Sequence, residues 1–329
     1  MKKESQGQIC PEIHYRKTEK GIVITGCYGT DGQVVLPDEI DGMTVTGVGD
    51  YAFADHREKE GESLIWKAGD VFRDSTKVRI SGGLVTEIWL PAQVTEIGRY
   101  AFYRCKNLKK LALTDSLLEI GGGAFTGCCL TEVEIHFRIG EQSCLKSILD
   151  EMRFAIQAEL WYSAGEGTEE KALLLFPEHY EEAVENTPAR ILFTQHHGAG
   201  GYYRQCFYDR KLDYRKYDER FPYAQALEQP ETAARLALGR LRHPFRLTKE
   251  AGQEYEIYVR EHLCQIMEDL IGQADLEGIH FLSVGGFFTE TALDYGIHKA
   301  SKERETEILS MLMDEKHRRF PKKRKSFQL

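Results

Sequence analysis

At 329 residues, with 42% apolar and 29% charged side chains, the chain has the composition of an ordinary globular protein with room for two domains. No run of about 18 apolar residues occurs, which excludes a membrane-spanning helix, and no apolar stretch follows the opening lysines, so no export signal can be drawn and the eight cysteines are expected as thiols in the cytosol. The formal charge is −9, yet residues 316–329 hold seven Lys/Arg and no acid, so the remainder is −16, which argues against a broad nucleic-acid surface and leaves only the tail as a candidate.

A repeat runs through the first part of the chain. Val94-Thr-Glu-Ile-Gly-Arg-Tyr-Ala-Phe102 returns 23 residues later as Leu117-Leu-Glu-Ile-Gly-Gly-Gly-Ala-Phe125, with Cys105 matched by Cys128. Val48-Gly-Asp-Tyr-Ala-Phe53 gives an earlier copy, 49 residues upstream of the first string's equivalent positions, and the excess falls in an insertion, residues 57–83, expected to be a degenerate coil or a protruding loop. Each period carries an alternating run, Val85 to Leu90, Leu108 to Leu113 and Leu130 to Ile135, and alternation means a strand.

Stacked in parallel, these strands bury Ile88, Leu111 and Val133 in one column and Leu90, Leu113 and Ile135 in another, while Phe53, Phe102 and Phe125 fill the opposite wall. Gly49, Gly98 and Gly121 follow the aliphatic column where each coil must turn, and a positive φ is expected there.

The strings Val-x-x-Ile-Gly-x-x-Ala-Phe-x-x-Cys-x-x-Leu resemble the BspA-like bacterial leucine-rich repeats over about residues 13–137. Gly21 to Gly29 and Val34 to Val45 look like that family's N-terminal hairpin cap and first repeat. The resemblance implies a solenoid that binds other proteins rather than an enzyme, often at the cell exterior. It also implies that Cys105 and Cys128 are small buried packing residues.

After Phe137 the pattern stops, and Leu145, Ile148, Leu149, Met152, Ile156 and Leu160 fall at helical spacing, expected as a helix closing the solenoid. Ala172 to Phe176 and Arg190 to Thr194 read as two short strands. From Pro222 onward helices dominate: 224–241, 249–272, 276–284, 290–299 and 303–318, with Leu263, Ile266, Met267, Leu270 and Ile271 on one buried face. The pair beginning at Thr291 is loosely similar to an ankyrin unit. The expected fold class is therefore α+β, with a short leucine-rich-repeat β-solenoid in residues 1–137 and a mainly helical domain in residues 138–329 that ends in a basic tail.

Candidate chemistry is sparse. Adjacent His196 and His197, before a Gly-x-Gly-Gly turn, invite a metal or an enzyme site. Neighbouring residues on a strand face opposite ways, though, and no Cys-x-x-Cys accompanies them, so no metal, cofactor or catalytic residue is assigned. The tyrosines from Tyr202 to Tyr217 lie among basic residues as in single-strand nucleic-acid binders, but Asp209, Asp213, Asp218 and Glu219 cancel the charge, and packing between ordered elements is expected. Lys316 to Lys325 is similar to a nuclear localisation signal, with a frayed basic end as the expected state.

The alternation that turns Ile88, Leu111 and Val133 inward turns their neighbours outward. Glu87, Lys110 and Glu132 form one outer column, and Trp89, Ala112 and Glu134 another. That face, with an exposed tryptophan beside a mainly acidic stripe, is the expected docking surface for a protein partner. A secreted or cell-surface adhesin whose signal is missing is the alternative.

Overall fold

The computed structural model describes residues 10–56, 62–68, 77–165, 168–186 and 191–321. The chain divides into two compact units, residues 1–223 and 224–329. This differs from a boundary at 137. The first unit begins with β1 (Glu12–Thr18) and β2 (Gly21–Gly29), an antiparallel hairpin, followed by β3 (Gln33–Val35), β4 (Glu39–Ile40) and β5 (Met43–Val48).

The insertion supplies β6 (Leu64–Lys67) and β7 (Val78–Arg79), which pair antiparallel with β1 and β2. Its described part is thus neither a degenerate coil nor a free loop: it widens the capping hairpin's sheet. Arg79 fastens it by donating to the Ala52 carbonyl at 3.0 Å. Phe72 lies outside the described residues.

The repeats follow as β8 (Glu87–Trp89), β9 (Glu96–Ile97), β10 (Lys110–Thr114), β11 (Glu119–Ile120) and β12 (Glu132–Phe137). Strands β8, β10 and β12 are parallel, with Ile88, Leu111 and Val133 in register, as the alternation requires. Both aliphatic columns are buried. Across from them the rings of Phe53, Phe102 and Phe125 stack at 5.3 Å with interplanar angles of 10° and 9°. The short strands β5, β9 and β11 form a second parallel wall.

The glycines after the aliphatic column do not have positive φ. They are small because coils meet there: a Cβ on Gly98 would lie 2.4 Å from the Asp50 nitrogen, and one on Gly121 2.4 Å from the Arg99 nitrogen. The left-handed turn falls two residues later in each coil, at Tyr51, Tyr100 and Gly123.

The solenoid does not stop at Phe137. Helix α1 (Leu145–Glu151) is a crossover, and the chain returns as β13 (Ile156–Gly165), parallel to β12. Ile156 and Leu160, four apart, fit a helix, but with Ala158 they also alternate. Pairing with β12 and burial of all three select the strand. Strand β14 (Thr168–Phe176) then runs antiparallel and ends a six-stranded sheet of order β14-β13-β12-β10-β8-β3.

A separate hairpin, β15 (Tyr180–Asn186) and β16 (Ile191–His197), precedes α2 (Gly200–Arg204), the small ribbon β17 (Phe207–Tyr208) and β18 (Lys211–Leu212), and α3 (Tyr214–Asp218). Residues 138–223 are therefore more strand than helix. The tyrosine-rich stretch packs on β14: Tyr217 is buried, its hydroxyl donating to the Leu175 carbonyl at 2.7 Å, and the Tyr162 and Tyr214 hydroxyls meet at 2.9 Å.

Helix α4 (Phe221–Leu227) carries the chain into the second unit, which comprises α5 (Pro230–Arg242), α6 (Lys249–Glu261), α7 (Leu263–Gly272), α8 (Leu276–Val284), α9 (Glu290–Glu303) and α10 (Thr306–Arg319). Leu263, Ile266, Met267, Leu270 and Ile271 are buried together as their spacing requires. Gly296 lets α9 approach α7, since a Cβ there would meet the Met267 methyl at 2.2 Å. The hydroxyl of Thr289, not Thr291, caps α9 by accepting from the Ala292 nitrogen. Lys316 and Arg319 on α10 pair with Asp294 and Glu315. The tail beyond residue 321 lies outside the described residues.

Candidate functional site

The outer face of the six-stranded sheet is built by pleating alone. One row reads Gln33, Glu87, Lys110, Glu132 and Gln157 across five strands, and the next reads Val35, Trp89, Ala112, Glu134 and Glu159. The six residues expected on this face are brought together in the expected columns. Sequence reasoning missed its extension: Gln33 and Val35 on one side, and Gln157, Glu159, Trp161 and Lys171 on the other, with His136 between. Trp161 was hidden by the helical reading of residues 145–160. Its signal was the alternation of Gln157, Glu159 and Trp161.

Two of the expected exposures need correction. Trp89 is only partly exposed, and Ala112, in register between Trp89 and Glu134, is fully buried. The described strands of the insertion lie in the other sheet, not in the one that carries Trp89. Instead the Lys110 ammonium sits over the indole, 4.7 Å from the ring centroid, and the indole nitrogen donates to Glu87 at 3.4 Å.

Three strands away the same device recurs, with the Lys171 ammonium 5.1 Å from the Trp161 centroid. Each such contact contributes about 0.5–1 kcal/mol at a partly exposed site. Both lysines also reach a carboxylate: Lys110 pairs with Glu134 at 2.8 Å and Lys171 with Glu159 at 3.0 Å. His136 joins the two halves, contacting Glu134 at 2.8 Å and stacking on Trp161 at a 6° interplanar angle.

Burial pushes the Glu134 carboxyl up, but the hydrogen bonds of His136 and Lys110 outweigh it and bring the group down to about 2. Burial acts to lower the Lys110 ammonium, and the hydrogen bond and charge of Glu134, with Glu159 and Glu132, raise it above its ordinary value. The result is a polar network in which each of two tryptophans on one sheet face lies against a lysine. Among the described residues no lysine forms an ion pair with Glu87, Glu132 or Glu169 around it; Glu87 accepts from the Trp89 indole and Glu169 lies 3.9 Å from His136.

His196 and His197 lie on β16 and face opposite ways. His197 meets Tyr180 and Glu182, while His196 meets Glu181 beside His179. Among the described residues, His179, Glu181 and His196 form the group of side chains able to hold a metal. Cys105 and Cys128 lie on consecutive coils, their thiols donating to the Phe53 and Phe102 carbonyls at 3.2 and 3.0 Å.

Among curated proteins none matches the chain. A solved structure titled as the crystal structure of the T. pallidum leucine rich repeat protein (TpLRR) is similar at 24% identity, covering 37% of this chain and 68% of that one, with a TM-score of 0.20. The family model described as BspA type leucine rich repeat region (6 copies) matches residues 81–156, which take in the strands from β8 to the start of β13. Residues 81–156 are therefore similar to a BspA-type leucine-rich-repeat region, and they supply the central strands of the tryptophan-bearing face.

Proposed function

We propose that the chain is a non-catalytic protein-binding module whose six-stranded sheet docks a basic segment of a partner protein. The observation that carries this reading is the placement of two of the chain's three tryptophans on one polar sheet face, each under a lysine and each beside a carboxylate. Tryptophan is enriched at the energetic centres of interfaces, and its ring is wasted on a surface with no occupant. The surrounding carboxylates favour a partner that brings its own Arg or Lys, which can pair with Glu132 and Glu87 and compete for the indole faces. A repeat solenoid suits this task because neighbouring coils present side chains in straight columns.

The cytosol is the proposed compartment. Buried thiols at Cys105, Cys128 and Cys206 donate to backbone carbonyls, and a disulfide would remove those donors.

The test is affinity capture from the native host with the parent chain and with Glu132→Lys, an exposed substitution that leaves the network's hydrogen bonds intact. Trp89→Ala serves as the second variant. A partner held by the parent, weakened about 30-fold or more by Trp89→Ala and also lost on Glu132→Lys, is the expected result. A partner held equally by all three overturns the assignment to this face.

A further inference from the structure

The geometry points to a divalent transition-metal site at His179, Glu181 and His196, at the base of the β15–β16 hairpin. His179 and Glu181 are two apart on an extended segment and so share a face, and Glu181 is the direct cross-strand partner of His196. Register and pleat thus gather three donors from two chain segments onto one side. In the structure the Glu181 Oε1 lies 2.9 Å from the His179 Nε2 and 3.2 Å from the His196 Nδ1, and all three donor atoms fall within 4.8 Å of one another. A cation bound at about 2.0–2.2 Å holds its donors roughly 3.4 Å apart. Two of the three separations are therefore already close to what a cation needs, and the third, between the two imidazoles, closes by rotation of the exposed His196 side chain.

The His179 imidazole is held in place from behind. Its backbone nitrogen donates to the Arg153 carbonyl at 2.7 Å, and a Cβ on Gly201 would come 3.1 Å from Cε1 and 3.2 Å from Nδ1, so the glycine makes room for the ring. The Nδ1 atom is buried without a hydrogen-bond partner, which leaves Nε2 as the ring's polar outlet, aimed at Glu181. Arg204 fixes the segment before it by donating to the Pro177 carbonyl at 2.6 Å.

Two imidazoles and a carboxylate suit zinc and its neighbours in the first transition row rather than calcium or magnesium, which take oxygen donors. Three protein donors leave the remaining positions to water, on the side of a cavity of about 610 Å³ that the same three residues line with Lys146, Asp150 and Arg153. His197, on the opposite hairpin face, takes no part.

The test uses the untagged full chain, freed of metal by a chelator, with ZnCl2 in isothermal titration calorimetry and CoCl2 in visible absorption. The expected result is one zinc per chain, a cobalt spectrum without a thiolate charge-transfer band, and at least tenfold weaker zinc binding in His179→Gln, Glu181→Gln and His196→Gln. His197→Gln and Cys264→Ser, the latter removing an exposed thiol, are expected to bind as the parent does. Circular dichroism of each metal-free variant checks that it is folded, and the three donors are tested separately so that one misfolded variant does not decide the outcome. Failure of both cations to bind, or binding that survives all three donor substitutions, overturns the site.

Discussion

Replacing Glu134 by glutamine removes the charge at the centre of the sheet face while keeping a side chain of the same shape that still hydrogen-bonds. The carboxyl titrates at about 2 in the folded chain against an ordinary value of 4.5. At about 1.4 kcal/mol per unit this gap sets a ceiling of roughly 3 kcal/mol on the charge's contribution to stability. One edge of the side chain meets water, so the realised share is about 1–2 kcal/mol. Because the folded value is depressed, the contribution is complete above the unfolded value and drains away as pH falls from 4.5 toward 2. Urea unfolding of parent and Glu134→Gln at a series of pH values measures this directly. The variant is expected to be about 1–2 kcal/mol less stable at about pH 7, with more than half of the difference gone by about pH 3. A variant as stable as the parent at neutral pH, or a gap that does not shrink on acidification, refutes the charge network.

Gly121→Ala should cost about 2 kcal/mol or more, since its Cβ would lie 2.4 Å from the Arg99 nitrogen, whereas Gly122→Ala next to it meets nothing within 4 Å and should shift the unfolding midpoint little. Equal behaviour of the two in thermal melts would remove close coil approach as the reason for the repeat's glycine. In a thiol-reagent titration of native protein, exposed Cys264 should react first and partly exposed Cys129 more slowly, with the six buried cysteines reacting only after denaturation to a total of eight. Burial pushes Cys144 up to about 12 and Cys206 to about 11, which adds to their inertness at neutral pH. A total of six or fewer without reductant would contradict the thiol state.

The solenoid was legible where one physical constraint acted alone. A 23-residue period with alternating strands leaves a single register, so the pairing of Leu111 with Ile88 and Val133, and the stacked phenylalanines, follow from the residues themselves. Legibility failed where two periodicities coincide. Ile156 and Leu160 satisfy both a helix and a strand, and only the open edge of β12 decides between them, which is a tertiary fact. Misplacing that strand shortened the first unit and concealed Trp161. The glycine positions were found but for another reason, because close coil approach and positive φ both select glycine while leaving different residues to make the turn. His196 was noticed beside His197, the neighbour that points away; its companions His179 and Glu181 are remote in sequence and reach it only through hairpin register.

Arg204 carries a consequence for how the first unit assembles. Its guanidinium is buried, donating to the carbonyls of Leu149, Met152, Phe154, Pro177 and Gly200, and burial pulls it down to only about 10, so it stays charged. A cation stripped of water before its acceptors arrive is costly, so the end of α1, the approach to β13, the exit from β14 and the start of α2 must close around it in one event. Amide hydrogens in these four stretches should therefore exchange with a common opening free energy, making residues 145–204 a single cooperative folding unit rather than a final coil with a hairpin added afterwards.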